Sequence, residues 1–589
     1  MAHQIKKNLG VTMRGGSAEF RLWAPFAKSV SISGTFTPNG PIELDSEHDG
    51  YWSKTIDDVE PGHTYKYGIT TANGVLWKND PRALAITSSD KGLSVIVDDT
   101  FDWEDDRFAS IPREQQIIYE LHIGTFNRPD AATPGTFDTA IEKLDYLKEL
   151  GINMIELMPI TSMAYSFGWG YAPNYIYSVE AMLGGRHGLM KFVREAHKRG
   201  IGVILDVVYN HFAGDTDLWQ FDGWNESNRG GIYFYNDYRG DTPWGGRPDY
   251  GRPEVRQFIL DNITMWLTDY HIDGLRIDST IYMRNTEGFA NDPAHDLPEA
   301  WLLLQDINTL AHKINPQITT IAEDFSCTDY ITKSREQNGA GFNSQWELGF
   351  PHAIRNALGV TYGYPRTLSD LNHELQQQYN DDVFQRVIFS DSHDTAANGS
   401  ARLNEIITPR DPTSQAARQT LLIASTLMLT AAGIPMLLQG SEFLQDGAFN
   451  DWQALEWEKS EKYCDILLAH RHLIDLRLNR HGNAAGLQGQ HTAIFHQNDN
   501  DGVLGYHRWK NGGAKDDVIV IINFSPNVFD SYELWLPRAG TWQVRFNSAW
   551  DGYSKDFSNT KIETISTDER KIATITLPSY VVLIASQDE

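Results

Sequence analysis

Short apolar runs alternate with amphipathic helical stretches from about residue 113 to residue 485, and this alternation limits the folds open to the chain. The run at 117–122 precedes a helical pattern at 137–151, and the run at 153–159 precedes another at 188–200. Several helical patterns end in glycine, a common stop signal. Alternation repeated about eight times favours a parallel sheet, most often closed as a (β/α)8 TIM barrel. A doubly wound open sheet stays the alternative, because periodicity does not separate the two.

The segments on either side of this region have the pattern of small β-domains. Residues 1–105 contain short alternating strands separated by Gly, Pro, Asn and Asp, and residues 486–589 repeat that pattern. Such spacing is typical of β-sandwiches. We therefore predict an N-terminal β-sandwich over 1–105, a catalytic barrel over 106–485 with a long loop insert at about 212–252, and a C-terminal β-sandwich over 486–589.

Charge and cysteine content narrow the classes of partner. The 589 residues include 50 Lys and Arg against 78 Asp and Glu, a formal net charge of −28. Such a surface would repel phosphate backbones and anionic lipids, so no nucleic-acid or membrane partner is expected. Only Cys327 and Cys464 are present, which excludes a disulfide framework and leaves no metal-ligand spacing. So few cysteines fit a reducing compartment.

Targeting signals are not apparent in the sequence. The first residues, MAHQIKKNLG, lack an apolar segment followed by a cleavage site. The sequence contains no run of about 18 apolar residues, the length of a membrane span. We therefore expect a cytoplasmic protein, and the sequence leaves its oligomeric state open.

Polar side chains follow several of the apolar runs. In a (β/α)8 barrel the C-terminal ends of the strands carry the chemistry, so these side chains are the candidate site. They are Trp169 and Tyr171 after the second run, Asp206 and His211 after the third, Arg276 and Asp278 after the fourth, Glu323 after the fifth, and His393 and Asp394 after the seventh. Three of these carboxylates, Asp278, Glu323 and Asp394, are therefore expected to converge above the barrel.

Such a carboxylate cluster has a physical use in glycosyl transfer. A retaining glycosidase needs two carboxyl groups roughly 5 Å apart, one attacking the anomeric carbon and one protonating the leaving oxygen. Their pKa values have to differ, because an ionised nucleophile and a protonated acid must coexist. Arg276 lies two residues before Asp278 and would keep it ionised by charge-assisted hydrogen bonds. Glu323 would then face negative neighbours and hold its proton, while His211 and His393 would donate to the sugar without a metal.

The motifs that contain these residues resemble the four signature regions of the α-amylase superfamily of retaining α-glucan enzymes. They read DVVYNH at 206–211, GLRIDST at 274–280, IAED at 321–324 and SDSHD at 390–394. Their order, their approximate spacing and their places at strand ends all match the family. One such motif is a weak signal, but four in order are a strong one.

The resemblance extends over most of the chain. RLWAP at 21–25 and DPRA at 80–83 look like the N-terminal sandwich of branching and debranching enzymes. YELHIGTF at 119–126 and GWGYAPNYIY at 168–177 look like the start of the barrel in glycogen branching enzymes and malto-oligosyltrehalose trehalohydrolases. The stretch 230–251 is similar to one in bacterial α-1,4-glucan branching proteins.

The resemblance implies a role for each matching position. Asp278 would be the nucleophile, Glu323 the acid/base, and Asp394 would bind hydroxyls of the sugar at the cleaved bond. The substrate-binding positions would be Arg276, His211 and His393 around that sugar, Tyr171 stacked beneath it, Trp169 in the same loop, and Asp206 supporting His211 and Arg276.

The loop insert adds aromatic residues that have two interpretations. They form subsites for donor or acceptor sugars, or they are ordinary loop packing: Trp224, Phe234, Tyr235, Tyr238 and Trp244. Asn210 matches a position that often belongs to a calcium site in related amylases, but no oxygen-rich calcium loop is evident in the sequence. We expect no metal and no cofactor.

The expected function is transglycosylation on an α-glucan or malto-oligosaccharide. An α-1,4 bond would be cleaved, the glucan held on Asp278 and then passed to a sugar 6-hydroxyl as an α-1,6 branch. The alternative is hydrolysis at the same site, either of α-glucan or of malto-oligosyltrehalose with release of trehalose. The two reactions differ only in whether water or a sugar hydroxyl attacks the covalent intermediate. A third alternative is an inactive glucan-binding protein, which the intact carboxylates oppose. The sequence departs from branching enzymes at Thr395, where the family usually has Glu, and at 278–280, which reads Asp-Ser-Thr in place of Asp-Ala.

Overall fold

A computed structural model describes residues 9–87, 92–164, 167–359 and 367–589. The prediction that no secretion signal begins the chain rests on residues 1–10 and falls almost entirely outside these ranges. Across the described ranges, no helix is both long and apolar enough to cross a membrane.

Eight parallel strands close into a barrel in chain order, which confirms the predicted (β/α)8 architecture and excludes the open sheet. Closure occurs where the last strand pairs with the first, with Met436 beside Ile118. All residues of the eight strands are buried, because one side of each strand fills the barrel and the other meets the helices. The barrel strands are Ile118–Leu121, Met154–Leu157, Gly202–Val207, Gly274–Ile277, Thr319–Ala322, Ser344–Trp346, Arg386–Phe389 and Ile434–Leu438.

Helices cover the outside of the barrel, and their sequences show why they pack there. The helix Gly185–Lys198 buries Leu189, Phe192, Val193 and Ala196, which recur three or four residues apart and so form one apolar stripe. The α-helices are Ile123–Phe126, Phe137–Ile141, Leu144–Leu150, Gly185–Lys198, Pro253–Thr268, Thr280–Arg284, Pro298–Ile314, Gly349–Leu358, Ser369–Gln376, Leu403–Ile407, Gln415–Thr430, Glu458–Lys462 and Cys464–Arg477. The short 3-10 helices are Arg113–Gln115, Ala181–Leu183, Tyr238–Gly240, Gly288–Ala290, Pro293–His295, Asp329–Ile331, Arg335–Gln337, Val383–Gln385, Ser441–Phe443 and Ala485–Gln488.

β-Sheets precede and follow the barrel along the chain, as predicted. The N-terminal part has a four-stranded and a five-stranded antiparallel sheet, and the C-terminal part has a six-stranded and a two-stranded sheet. The N-terminal strands are Gly10–Arg14, Ser17–Trp23, Ser29–Gly34, Ile42–Glu43, Asp45–Ser46, Tyr51–Asp57, Thr64–Thr71, Gly74–Lys78 and Ser94–Val95. The C-terminal strands are His491–Asn498, Val503–Trp509, Val518–Asn523, Phe529–Trp535, Thr541–Asn547, Thr564–Ser566, Ile572–Leu577 and Val582–Ser586.

Two further features of the fold shape the mouth of the barrel. An antiparallel hairpin, Thr161–Met163 with Pro173–Val179, follows the second barrel strand and brings Trp169 and Tyr171 to the mouth of the barrel. The insert after the third barrel strand contacts a turn of the N-terminal β-region. There Phe26 stacks on Trp224 with ring centroids 4.7 Å apart, and the Phe26 N–H donates to Asp222 at 2.9 Å.

Candidate active site

A cavity of about 420 Å³ lies at the C-terminal ends of the barrel strands, where the sequence predicted a site. Most of the predicted residues line it: Trp169, Tyr171, His211, Asp278, Glu323, His393 and Asp394. The other two, Arg276 and Asp206, are buried and contact lining residues. Residues far apart in the sequence meet here because the strands that carry them are neighbours in the closed barrel.

Arg276 joins two of the carboxylates. Its Nη1 donates to Asp278 Oδ1 at 2.9 Å, and its Nη2 forms an ion pair with Glu323 Oε2 at 3.0 Å. Arg276 is fully buried on the fourth barrel strand, which ends just before Asp278 and pairs with the fifth strand, which ends just before Glu323. Both carboxylates are therefore held within the span of one guanidinium group, facing the same cavity.

The surroundings of Glu323 favour its protonated form. Burial raises the pKa of Glu323 well above its ordinary value, and the negative charges of Asp278 and Asp394 add to this effect, while Arg276 opposes it. The backbone N–H of Ser279, which donates to Glu323 Oε2 at 2.7 Å, opposes the rise as Arg276 does, but burial outweighs both. Glu323 therefore keeps its proton to a higher pH than an exposed glutamate, as an acid that protonates a leaving oxygen must.

Asp278 is held from two sides. In addition to the contact with Arg276, its Oδ2 accepts a hydrogen bond from Asn210 Nδ2 at 2.5 Å. Asn210 also donates to the Asp278 carbonyl at 2.9 Å, and its Oδ1 lies 2.5 Å from His211 Nδ1. Asn210, which matches a calcium-site position of related amylases, thus orients Asp278 and His211 in this chain. Within the described parts of the chain, no group of three or more His, Cys, Asp or Glu is arranged to hold a metal ion.

The expected support of His211 by Asp206 is wrong. Asp206 Oδ2 accepts from Arg276 Nη1 at 2.7 Å and from the Tyr171 hydroxyl at 2.6 Å. His211 instead contacts Asn210 and, through Nε2, the Tyr171 carbonyl at 2.8 Å. Burial raises the pKa of Asp206 to about 6, with Asp278 adding to the effect and Arg276 opposing it. Asp206 therefore supports Arg276, as expected. Its second partner is Tyr171, whereas the resemblance implied His211.

His393 has a partner that the sequence analysis missed. Glu120 Oε2 accepts from the His393 N–H at 2.9 Å, and Glu120 Oε1 lies 2.5 Å from His393 Nδ1. Burial by itself lowers the pKa of His393, but the charges of Asp394 and Glu120 outweigh it and raise the pKa to about 9. The imidazolium form is therefore favoured at neutral pH. The Tyr171 ring stacks on that of His393, with centroids 5.1 Å apart.

A second glutamate lies beside Glu120 on the next strand. Glu156 is paired in register with Glu120 and is buried, and its Oε2 has no hydrogen-bond partner among the described residues. Burial raises the pKa of Glu156 well above its ordinary value and so favours its neutral form, whereas Glu120 contacts the His393 ring. The signal for both was present in the sequence, because each is the one charged residue in an otherwise apolar run.

Asp394 and Thr395 differ in their exposure to the cavity. Asp394 lines it with a side chain that is 41% exposed, and its Oδ1 lies 3.5 Å from His393 Nε2. The hydroxyl of Thr395 accepts from the Ser392 N–H at 2.8 Å and so closes the turn that leads to Asp394. Thr395, where branching enzymes usually have Glu, therefore acts in this chain on the shape of the loop.

The five aromatic residues of the insert were interpreted either as sugar subsites or as loop packing, and the structure separates them. Trp244 lines the cavity and is 49% exposed. Phe234 and Tyr235 are buried and belong to loop packing, and Tyr238 is exposed. Trp224 stacks on Phe26, which lies between two strands of the N-terminal region. Only Trp244, among these five, is positioned to touch a substrate in the cavity.

A closed (β/α)8 barrel whose strand ends gather carboxylates around one buried arginine is the architecture of a carbohydrate-active barrel enzyme. The sequence matches the alpha amylase catalytic domain over residues 120–243 and 222–472, and the alpha amylase C-terminal all-beta domain over 494–587. It also matches carbohydrate-binding module 48, the isoamylase N-terminal domain, over residues 8–83. The chain belongs to the α-amylase family, and its catalytic domain is that of the family's glycoside hydrolases and transglycosylases.

Curated relatives agree with this assignment, and a solved structure has a similar fold. The chain is 32% identical over 459 residues to the malto-oligosyltrehalose trehalohydrolase of Saccharolobus solfataricus, covering 73% of this chain and 74% of that protein. It is 29% identical over 576 residues to the 1,4-alpha-glucan branching enzyme GlgB of Corynebacterium jeikeium, covering 92% of this chain and 78% of the relative. Its fold is similar to that of pullulanase type I from Bacillus subtilis complexed with maltose, with a TM-score of 0.77, 19% identity, and 100% of this chain and 86% of that chain covered.

Proposed function

We propose that this chain is a retaining α-glucan transglycosylase that cleaves α-1,4 links and forms α-1,6 branches, with Asp278 as nucleophile and Glu323 as acid/base. The observation that carries the proposal is the shared arginine, with Arg276 Nη1 2.9 Å from Asp278 and Nη2 3.0 Å from Glu323. It holds the two carboxylates together, while burial raises the pKa of Glu323 and so favours the protonated form of that group. Two carboxyl groups in different protonation states are what retention requires.

The first half of the reaction forms a glycosyl ester. An Asp278 oxygen attacks the anomeric carbon, the bond from that carbon to the leaving oxygen breaks, and Glu323 gives its proton to that oxygen. The shortened glucan leaves with a free hydroxyl, and the transferred segment remains bound to Asp278. The configuration at the anomeric carbon is inverted in this step.

The second half reverses these roles. Glu323, now a carboxylate, takes the proton of an acceptor 6-hydroxyl while the oxygen of that hydroxyl attacks the anomeric carbon. The ester bond breaks and Asp278 regains its charge. One α-1,4 link has been replaced by one α-1,6 link, the second inversion restores the configuration, and no water has been consumed.

The remaining site residues would bind the transferred sugar. Asp394 would accept hydrogen bonds from its hydroxyls, and His393 as an imidazolium would donate to them. Tyr171 and Trp169 would present ring faces to the pyranose. Arg276, His211 and Asp206 would hold the catalytic carboxylates and Tyr171 in position through their hydrogen bonds.

The extent of the similarity favours branching over other reactions of the family. The branching-enzyme relative is matched over 92% of this chain, which includes both flanking β-regions, whereas the trehalohydrolase relative is matched over 73%. Hydrolysis of malto-oligosyltrehalose is nevertheless a second candidate, because that relative has the higher identity, 32% against 29%. In that reaction water would take the place of the 6-hydroxyl.

An amylose assay tests the proposal. Branching predicts a change in iodine colour and new chains released by isoamylase, without a matching rise in reducing ends. Reducing ends alone would mean hydrolysis, and trehalose formed from malto-oligosyltrehalose would identify the second candidate. Glucan binding without turnover would identify an inactive binding protein. A fluorinated glycosyl donor should label Asp278, and a label on any other residue would refute the assigned nucleophile.

A further inference from the structure

A buried network of hydrogen bonds joins the segment after Asp278 to the segment after Glu323. Asp324 is fully buried, and its two carboxylate oxygens accept from Arg284, Oδ1 from Nη2 at 2.7 Å and Oδ2 from Nε at 2.9 Å. Asp324 Oδ2 also lies 2.9 Å from the hydroxyl of Thr280, which is fully buried as well. We call Thr280, Arg284 and Asp324 the buried anchor. None of the three lines the cavity, so none of them is placed to touch a substrate there.

The buried anchor reaches the acid/base through the main chain. The Thr280 N–H donates to the Glu323 carbonyl at 2.8 Å, and the Thr280 hydroxyl lies 3.0 Å from the same carbonyl. The single hydroxyl proton is therefore shared between that carbonyl and the Asp324 carboxylate. Because Asp324 directly follows Glu323, the anchor holds the main chain of the acid/base and the side chain of the next residue together.

Two strained backbone positions lie close to the catalytic carboxylates. Ser279, the residue after Asp278, has a φ of +40°, and Phe325, two residues after Glu323, has a φ of +58°. Left-handed conformations cost free energy in residues other than glycine, and they persist where the surroundings determine them. In its strained conformation the Ser279 N–H donates to Glu323 Oε2 at 2.7 Å. The anchor connects the two strained turns, since one of its residues follows Ser279 and another precedes Phe325.

The chemistry of the acid/base makes such support important. An acid that protonates a glycosidic oxygen works only within hydrogen-bond reach of that oxygen. A misplacement of about 1 Å can cost a catalytic group roughly a hundredfold in rate. Glu323 Oε2 contacts Arg276 and the Ser279 N–H directly, but both contacts require that the main chain at Glu323 stays in place. The position of the acidic oxygen therefore depends on what holds that main chain.

We propose that the buried anchor positions the acid/base, and that its three side chains are positioning residues that fix the main chain of Glu323. This inference rests on the proposed function, in which Glu323 is the acid/base, and adds the residues that keep it beside the leaving oxygen. Thr280 belongs to the stretch 278–280, where the sequence departs from the usual Asp-Ala of branching enzymes, so the anchor gives that stretch a physical role. Loosening the anchor should weaken proton transfer while attack by Asp278 continues.

The test compares two donors on the full chain. Cleavage of amylose needs the Glu323 proton, whereas ester formation from a malto-oligosaccharyl fluoride does not, because fluoride leaves without a proton. Thr280→Val removes the hydroxyl and keeps the branched shape and the N–H. We expect it to lower turnover of amylose about tenfold and first-turnover fluoride release less than about twofold, the loss being that of one buried hydrogen bond. Thr280→Ser keeps a hydroxyl and should restore amylose turnover.

A second variant and a matched control complete the test. Arg284→Lys keeps the positive charge but loses the two parallel contacts with Asp324, and it should show the same difference between the donors. The control is Thr430→Val. Thr430 is a fully buried threonine whose hydroxyl donates to the Thr426 carbonyl at 2.6 Å, and it does not line the cavity, so both rates should stay unchanged.

A merely structural role for the anchor predicts a different result. Equal losses on the two donors, or no loss on either, in Thr280→Val or in Arg284→Lys would overturn the inference while the proposed function stands. If Thr280→Val does not fold, as judged by circular dichroism, Arg284→Lys decides by the same comparison. If the unmodified chain does not turn over amylose, or if Glu323→Ala turns it over at full rate, the proposed function itself fails.

Discussion

Replacing Glu120 by Gln tests whether His393 works as an imidazolium. Both carboxylate oxygens of Glu120 are occupied by His393, one by the backbone N–H at 2.9 Å and one by Nδ1 at 2.5 Å. Glutamine keeps the shape of the side chain but has one acceptor oxygen, and its NH2 group would face a donor. The variant therefore removes a buried negative charge and one acceptor without leaving a cavity.

The size of the effect follows from the lost charge. The pKa of His393 is raised from 6.5 to about 9 by Asp394 and Glu120, against the effect of burial. An adjacent opposite charge moves a pKa by about one to three pH units. If Glu120→Gln brings the pKa of His393 to about 7, the imidazolium fraction at about pH 8 falls from roughly nine-tenths to one-tenth. Activity that needs the imidazolium should then fall about tenfold at that pH and little below about pH 6.

The assay is the pH dependence of kcat/KM on amylose between about pH 5 and pH 10. We expect the alkaline limb of the Glu120→Gln profile to move to lower pH. Glu156→Gln is the matched control, because it changes a neighbouring buried glutamate whose burial favours the neutral form, so the limb should stay in place. A Glu120→Gln enzyme with a uniform loss at every pH, or a Glu156→Gln enzyme with the same displaced limb, would refute the reasoning.

The remaining predictions concern the carboxylates and their arginine. Asp278→Ala and Glu323→Ala should each lower turnover of amylose by roughly four orders of magnitude with the circular dichroism spectrum retained, and a full-strength variant would contradict the assigned roles. Glu323→Ala should lose far less in fluoride release from a glycosyl fluoride, because that leaving group needs no proton; an equal loss on both donors would count against the acid role. Arg276→Ala should lower the free energy of unfolding by about 3–5 kcal/mol, because buried carboxylates lose their counter-charge, and unchanged denaturant unfolding would show that the ion pairs are dispensable.

Local patterns in the sequence were enough to predict the barrel and most of the cavity lining. A strand end is a local property, since an apolar run stops and a polar residue follows, and closure of the barrel brings all such ends to one face. The sixth strand, Ser344–Trp346, was not recognised, because it has three residues and two of them are polar. Its neighbours in the closed barrel impose the strand, which is tertiary information.

Contacts between distant residues were the part that the sequence did not reveal. Glu120 and His393 are separated by 273 positions and meet only because the first and seventh strand ends face the same cavity. The link from Asp206 to His211 was implied by the family resemblance, and it is wrong because Asn210 and the Tyr171 carbonyl contact the two ring nitrogens of His211. Two side chains meet inside a barrel only if both point inward at the same level along the barrel axis. Local sequence motifs do not give that level.

The charge balance of the site explains how one glutamate can serve as acid and then as base. Among the residues that the structure describes, Arg276 is the one cation in contact with the carboxylates of Asp206, Asp278 and Glu323, so three ionised groups would leave an excess of buried negative charge. The Asp278 charge contributes to the raised pKa of Glu323, and esterification of Asp278 removes that charge. The pKa of Glu323 should therefore fall in the glycosyl-enzyme, which turns the spent acid into a base when the acceptor needs one. Titration of Glu323 by carbon NMR in the free enzyme and in the fluoroglycosyl-enzyme would measure the fall, and an equal pKa in both states would mean that Arg276 screens the two carboxylates from each other.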